Sequence, residues 1–397
     1  MILVGIDVAS DKHDVCIMSD NGEIIRENFT VPNKESGYKK LLGEVEKAKK
    51  LFKDDDIRIG LESTGVYSIG ITEFLEKSFP GSVVLINPVL TSMFELSIHV
   101  HYAKTDRNDA LGICKFLSKN QDIRTYAPVS YHIKQLRGLY RERTKLNKRL
   151  NQDINKLNGQ LHIVFPEFVE KHATMGHFEL ELLSRYPSAA SLKNIKPETL
   201  VNKLSKVPYL RISLEKAKEI IVLAKNSVGT DGFDDFVISQ TARRVIFLKE
   251  QVKEMTEKIA DIVKEDYGYL LTIDGVGTTC IGGIVGEIGD VNNYHGSDSI
   301  VALAGLCPYV YESGKYEARH TRITKNGSSY LRNALYMAAQ SMYLHKANPI
   351  YDYVEKKKKE GKSHICALDH AARKLANIIF SMMKTKTEFR SESTQKR

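Results

Sequence analysis

Two short apolar runs near the start of the chain each end on a carboxylate, and no other feature constrains the fold as tightly. Ile2-Leu3-Val4-Gly5-Ile6 runs into Asp7, and Ile57-Arg58-Ile59-Gly60-Leu61 runs into Glu62. Runs this short and this rich in β-branched residues read as buried strands rather than helices. A carboxylate at the end of a buried strand sits at the rim of a sheet. Two further acids, Asp106 and Asp109, lie three apart in Lys104-Thr105-Asp106-Arg107-Asn108-Asp109-Ala110, where a helical stretch begins. Residues at that spacing share one helix face. Four carboxylates brought together repel one another unless a cation lies between them. Hard divalent ions take oxygen ligands of this kind, and a metal pair about 3.5–4 Å apart serves phosphoryl chemistry on nucleic acid.

Residues 1–31 read as three strands, Ile2–Val8, Asp14–Ser19 and Ile24–Val31, with Ser19-Asp20-Asn21-Gly22 turning the second into the third. A helix carrying Tyr38, Leu41, Leu42, Val45 and Ala48 follows. Strand 57–62, helix 68–79, strand 82–86 and helices over 88–119 come next. Three antiparallel strands followed by alternating helices and strands is the order of a ribonuclease H-like sheet. In that order Asp7 and Glu62 fall on adjacent central strands, with the Asp106/Asp109 helix beside them.

The pattern then turns helical. Leu136, Leu139, Leu146, Leu150, Ile154, Leu157 and Leu161 recur at helical steps over 133–165. Val245, Leu248, Val252, Met255, Ile259 and Ile262 alternate steps of three and four, a heptad seam. Two long amphipathic helices suit an antiparallel hairpin, an intermolecular coiled coil or an ordinary bundle. Residues 166–235 read as short helices and loops without evident chemistry. Leu270 to Cys280 reads as helix, tight glycine turn, helix, a helix-hairpin-helix-like unit. Gly275 and Gly277 there would free backbone N–H groups for a phosphate, or simply close a turn between packed helices. A dinucleotide-binding loop is excluded, because a helix rather than a strand precedes it. Residues 326–345 form another helix, with Leu331, Leu335, Met337, Ala338 and Met342 on its apolar side. The fold class is thus α/β plus all-α. A catalytic domain spans 1–125, a helical, coiled-coil linker 126–266, a helical C-terminal domain 267–384, and a disordered tail 385–397.

A length of 397 residues favours two or three domains. The apolar runs are too short to span a membrane, and no basic leader precedes the first strand, so a cytoplasmic protein is expected. The five cysteines are scattered, with no CxxC pair, which argues against zinc and disulfide frameworks. Net charge is +9, and its distribution says more than its size. Segment 131–160 holds eight Lys/Arg against two acids, and Arg137, Arg141, Lys145 and Lys148 there are candidate phosphate contacts. A second basic cluster comprises Lys315, Arg319, Arg322, Lys325 and Arg332. Segregated positive charge suits a nucleic-acid backbone.

The second cluster follows Tyr309-Val310-Tyr311-Glu312-Ser313-Gly314. Gly314 would let a bulky substrate approach the Ser313 hydroxyl, and Arg319 and Arg322 could clamp a phosphate beside it. A serine hydroxyl needs activation to act as a nucleophile, which a metal–carboxylate cluster could supply. Tyr309, Tyr311 and Tyr316 compete for the same role, and as plain turn or core tyrosines they would have none. His320 could assist proton transfer or contact phosphate. His99 and His101 would share one strand face as metal ligands but lack a third, and plain surface histidines fit as well.

At these residues the chain resembles a known family. Gly5-Ile6-Asp7-Val8-Ala9, Leu61-Glu62-Ser63-Thr64-Gly65-Val66-Tyr67 and Lys104 to Ala110 look like the three blocks of the DEDD transposases of the IS one-ten insertion-sequence family, relatives of the Piv DNA invertase. Leu303-Ala304-Gly305-Leu306-Cys307-Pro308, Ser313-Gly314, Arg319, Arg322, Gly327, Leu331-Arg332 and Ala334 to Ala339 are similar to the same family's C-terminal transposase domain. Glu312 stands where other members often carry Asp. The resemblance implies a RuvC-like domain whose Asp7, Glu62, Asp106 and Asp109 bind magnesium, two ions per site, with manganese as an alternative. It also implies a nucleophilic Ser313, a coiled-coil linker, donor and target DNA as substrates, and a non-coding bridge RNA as guide. A homo-oligomer, dimer or tetramer, located at the nucleoid, is implied as well.

The reading that follows is an RNA-guided, magnesium-dependent recombinase acting through a serine–DNA adduct. The alternative is a RuvC-like, junction-resolving nuclease that cleaves with water. A non-enzymatic scaffold would not need four acids, and a sugar-kinase-like ATPase would need a glycine-rich phosphate loop that the sequence lacks.

Overall fold

The computed structural model describes residues 1–390 except 64–65, 99–105, 124, 231, 309–311, 314–315 and 318–322; of Glu95, Ile98, 106–108, Glu312, Ser313, Tyr316 and Glu317 it describes the backbone. The chain divides into two compact units, Met1–Pro128 and Val129–Arg397.

The first unit is mixed α/β. Its elements in order are β1 (Ile2–Val8), β2 (Lys12–Ser19), β3 (Ile24–Pro32), α1 (Glu35–Phe52), β4 (Ile57–Glu62), α2 (Tyr67–Ser78), β5 (Val83–Ile86), α3 (Pro88–Ile98) and α4 (Asp106–Lys119). The five strands form one sheet in the order β3-β2-β1-β4-β5. Pairing is antiparallel from β3 to β1 and parallel from β1 through β4 to β5. Strand alternation sorts the side chains. Ile2, Val4, Ile6, Ile59 and Leu61 pack into one core with Leu41, Val45, Ile71 and Leu75 of α1 and α2. Leu3 and Val84 face the other way and pack with Ala110, Ile113, Cys114 and Leu117 of α4. Covering both faces explains why these strands read as continuous apolar runs.

The second unit is almost wholly helical. α5 (Tyr131–Val164) starts where the Ser130 hydroxyl accepts from the Ile133 N–H, an N-cap. Short helices follow: α6 (Pro166–His172), α7 (His177–Leu183), α8 (Ala189–Leu192), α9 (Pro197–Leu204) and α10 (Leu214–Lys225). Then comes α11 (Asp235–Asp266). α5 and α11 lie antiparallel along each other: His132 meets Asp266, Arg143 meets Thr256, and Arg244 grips Asp153 through two hydrogen bonds of 2.6 Å. The heptad seam therefore pairs within the chain. Its first half, Val245 and Leu248, joins a core with Leu150, Leu157, Leu161 and the short helices. Its second half, Ile259 and Ile262, joins the core of the C-terminal elements.

Those elements are α12 (Thr278–Ile288), α13 (Ser297–Leu303), the two-residue strands β6 (Glu312–Ser313) and β7 (Tyr316–Glu317), α14 (Ser329–Leu344), α15 (Ile350–Lys359) and α16 (His364–Thr385). The expected helical arm before the glycine turn is a single 3₁₀ turn, Gly268–Thr272, because α11 runs on to Asp266 and leaves too few residues for an α-helix. Gly275 has φ 80°, and a Cβ there would stand 3.0 Å from the Met342 Cα, so this glycine seats the turn against α14. Of the expected tail, Phe389 packs onto the C-terminal core and its N–H donates to the Thr272 hydroxyl at 2.8 Å; residues 391–397 lie outside those described. Among the described residues no helix is long and apolar enough to cross a membrane.

Candidate active site

Asp7 is the penultimate residue of β1, and Glu62 is the last residue of β4. The parallel register sets Ile6 beside Leu61, so the next step sets Asp7 beside Glu62. Successive side chains alternate faces. Since Ile6 and Leu61 point toward α1 and α2, Asp7 and Glu62 share the face that α4 covers.

Two glycines determine how close α4 comes. Gly5 and Gly60 lie on this same face, each two residues before its acid. A Cβ on Gly5 would stand 2.1 Å from the Ala110 carbonyl oxygen, and one on Gly60 would stand 2.8 Å from Ile113 Cγ2. The helix rests on bare strand backbone. Its direction follows from three contacts. Ala110 lies over Gly5, the Cys114 thiol donates toward the Leu3 carbonyl at 3.7 Å, and the Ser118 hydroxyl donates to the Asp20 carbonyl beside Met1 at 3.3 Å. Four helical residues advance about 6 Å, and two strand residues advance nearly the same distance, about 6.6 Å. One turn back from Ala110, the first residue of α4 is therefore level with Asp7, and that residue is Asp106. Positions 106 and 109 continue the stripe of Ala110, Ile113, Cys114 and Leu117 toward the rim. Asp109 is half-buried there. The Asp106 side chain lies outside the described residues.

Two partners of this rim escaped the sequence reading. Thr91 on α3 is buried, and its hydroxyl donates to the Glu62 carboxylate, sharing the proton with the Pro88 carbonyl 3.0 Å away. Nothing about a threonine in a helix of mixed composition signals this. The second is Asp14, paired with Asp7 across the β1–β2 ladder and so on the same face. Like charges directly opposite destabilise a sheet. Here the Thr30 hydroxyl donates to Asp14 at 2.5 Å, and the Lys12 ammonium lies 3.7 Å away. Strand pairing around the 9–11 turn held that signal, because the register follows from the turn length.

The donors at this rim are carboxylate oxygens, the set a hard divalent ion prefers. Among the described residues no three His, Cys, Asp or Glu side chains stand close enough to enclose an ion. Only the donor chemistry suits such an ion; Asp7, Glu62 and Asp109 share the face, with position 106 at the same level, but do not converge on one point.

The second constellation lies on the β6–β7 hairpin, where Ser313 pairs with Tyr316 in backbone register. The side chain of Ser313, together with Lys315, Arg319, Arg322, Tyr309, Tyr311, the Tyr316 ring and His320, lies outside the described residues, as do His99 and His101. The root of the hairpin is described. Pro308 and Ile323 form an antiparallel bridge, the Thr324 N–H donates to Cys307 at 2.9 Å, and the Lys325 N–H donates to Gly305 at 3.0 Å.

Several of the expected phosphate contacts are engaged within their own unit. Arg141 makes two hydrogen bonds, 2.6 and 2.8 Å, to Glu287, which also accepts from Ser328 at 2.7 Å. Burial alone would raise the Glu287 carboxyl, but the hydrogen bonds of Arg141 and Ser328 and the nearby guanidinium charges hold it below the usual range. Arg137 donates to the Gly286 carbonyl at 2.7 Å and Arg332 to the Ala304 carbonyl at 2.8 Å. These arginines hold α5, α12, α13 and α14 together. The charge count could not anticipate that, since Glu287 stands 146 residues from Arg141. Lys145 reaches Glu142 at 3.4 Å, whereas Lys148 and Lys325 are exposed. Gly277 caps α12 with open space around it.

Comparison with known proteins finds relatives of both halves of the chain. A family model for the DEDD transposases of IS110 matches residues 4–166, and a second, described as Transposase IS116/IS110/IS902 family, matches residues 267–355. The chain is 23% identical over 395 residues to the insertion element IS116 uncharacterized 44.8 kDa protein of Streptomyces clavuligerus, covering 98% of this chain and 96% of that protein. It is 21% identical over 351 residues to the transposase for insertion sequence element IS1111A of Coxiella burnetii, covering 87% and 79%. Both halves match in order, which defines an insertion-sequence transposase. Within that class, the chain belongs to the IS110 family.

Proposed function

We propose that this transposase cuts and rejoins DNA through a serine–phosphodiester adduct, and that the Asp7, Glu62, Asp106 and Asp109 rim serves the same reaction. The observation that supports the reading is the seating of α4 on Gly5 and Gly60, which lays the helix that begins at Asp106 along the strands that carry Asp7 and Glu62. The strand order β3-β2-β1-β4-β5 supports a RuvC-like, ribonuclease H-like domain over 1–125. The α5–α11 pair supports a coiled-coil linker over 126–266, followed by a transposase domain over 267–384.

Magnesium bound by the four carboxylates would neutralise charge on the phosphate oxygens. The chain's own residues do the rest. Ser313 Oγ bonds to the scissile phosphorus and gives its proton to water. The bond from phosphorus to one strand's oxygen breaks, and that oxygen takes up a proton. The serine ester conserves the bond energy, so attack by a partner strand's hydroxyl rejoins DNA and restores Ser313 without ATP. Arg319 and Arg322 hold the phosphate, and exposed Lys148 and Lys325 follow the backbone. Guidance by a non-coding RNA and assembly as a dimer or tetramer accompany this reading through the family resemblance.

The test is a denaturing gel of protein incubated with magnesium and DNA spanning the element's boundary. Wild-type protein should leave a protein–DNA adduct, and Ser313→Ala should bind DNA yet leave none. An adduct formed by Ser313→Ala would overturn the serine assignment, and free ends without adduct from wild type would point to hydrolysis instead.

A further inference from the structure

A cleft of about 410 Å³ opens at the root of the β6–β7 hairpin, lined by Leu306, Pro308 and Ile323 on one side and by the first turns of α16 on the other. The volume falls in the range of about 300–1,000 Å³ typical of small-ligand sites. α16 has two faces. Ala367, Leu368, Ala371, Ala372 and Leu375 are buried in the C-terminal core. Cys366, Asp369, His370 and Arg373, at steps of three and four, face the cleft, and Ile365 stands at its edge.

The lining has a definite chemistry. Leu306, Pro308, Ile323 and Ile365 make an apolar surface. Asp369 is a half-buried carboxylate within electrostatic reach of Lys325, Arg332 and His370. Arg373 and Lys325 make no salt bridge among the described residues, so cationic groups remain for an anion. An apolar wall, one hydrogen-bond acceptor and spare cations together match a nucleotide that carries an amino group: ring on the wall, amine on the carboxylate, phosphate on the cations. Carboxylate side chains accept from the cytosine N4 amine in just this pairing. The location adds a reach argument. Ser313 is five residue steps beyond Pro308, which keeps the two within about 18 Å however the chain runs.

We propose that this cleft receives one unstacked base of the strand being cut, an amine-bearing base that donates to Asp369, with Arg373 and Lys325 on its phosphate. Enzymes that work on DNA at a single nucleotide commonly hold an extruded base between apolar side chains. The proposal rests on the reading of Ser313 as nucleophile, since that makes the neighbouring cleft part of the DNA path.

The test uses the full chain and deoxycytidine 5′-monophosphate, with thymidine 5′-monophosphate and inorganic phosphate for comparison, titrated by saturation-transfer NMR. Wild type should prefer the cytidine nucleotide by about tenfold. Asp369→Leu, which removes the acceptor, should bring the preference below about twofold, and Arg373→Gln should weaken both nucleotides alike. The chain has no tryptophan, and Ile365 is 65% exposed. Ile365→Trp therefore sets a lone reporter at the rim without disturbing the core, and its fluorescence should be quenched by the cytidine nucleotide but not by phosphate. Equal binding of both nucleotides to wild type, quenching by phosphate alone, or no quenching at all would each overturn the proposal. Ser313→Ala should bind nucleotide as wild type does, so failure of this titration and failure of the adduct assay are separate results.

Discussion

Replacing Gly5 with alanine tests the geometry on which the site depends. The added methyl would lie 2.1 Å from the Ala110 carbonyl oxygen and 2.9 Å from both the amide nitrogen and the sulfur of Cys114. A carbon and a carbonyl oxygen settle near 3.3 Å, so α4 must lift from β1 by about 1 Å. No rotamer change relieves this, because backbone atoms are in the way. Overpacking of this kind costs about 1–3 kcal/mol, offset in part by the smaller entropy of the unfolded alanine chain, about 0.4–1 kcal/mol. The lift also moves Asp106 and Asp109 relative to Asp7 and Glu62, and a 1 Å displacement of reacting groups lowers rates by about a hundredfold. Gly60→Ala is the control. Its methyl meets only side-chain methyls, Ile113 Cγ2, Leu117 Cδ1 and Ile86 Cδ1, at 2.8, 2.9 and 3.1 Å, and the last two can rotate aside. Adduct formation timed on a denaturing gel, with a thermal melt of each protein, should show Gly5→Ala folded but slowed by about two orders of magnitude, and Gly60→Ala slowed far less. A Gly5→Ala protein that forms adduct within twofold of the wild-type rate, or a Gly60→Ala protein equally impaired, would refute the reasoning.

Thr91→Val keeps the shape of the side chain but removes the hydroxyl from Glu62; it should cost about 1 kcal/mol of stability and slow adduct formation severalfold, and Thr91→Ser should restore the rate. At Glu287 the carboxyl is held below its usual range, with burial opposed and outweighed by Arg141, Ser328 and Arg137. Its stabilisation is therefore complete above the unfolded value of about 4.3 and is lost as pH falls through the lower folded value. Urea melts between pH 7 and pH 3 should show Glu287→Gln weaker than wild type at neutral pH with a shallower acid slope, and a slope equal to wild type would count against the assignment.

What the sequence made legible divides by the range over which the relevant physics acts. Strand β4 was readable to the residue, because alternation and apolar runs are local signals, and the Asp7–Glu62 adjacency followed once the order of strands was read. The α5–α11 pairing was half-legible. The heptad seam showed that a partner exists, but the choice between a partner in the chain and one outside it depends on contacts such as Arg244 with Asp153, 91 residues apart.

Charge was the least legible property, since a guanidinium has the same formal charge in a helix interface as on a phosphate. Arg141 and Lys148 stand on the same basic stretch and are both exposed, yet Arg141 is tied to Glu287 while Lys148 makes no salt bridge among the described residues. The distinction turns on a single acid in α12 that no count over 131–160 could include. The carboxylate rim shows the converse. There the sequence named four acids, and the sheet register adds Asp14 directly across from Asp7. A further acid beside Asp7 raises the electrostatic cost there, and the chain meets that cost locally, with Thr30 and Lys12 on Asp14 and Thr91 on Glu62. Hydroxyl donors of this kind fix a carboxylate's position without neutralising it. Asp14 and Glu62 are thus held in place by hydroxyls on β3 and α3, partners that lie 16 and 29 residues away in the chain.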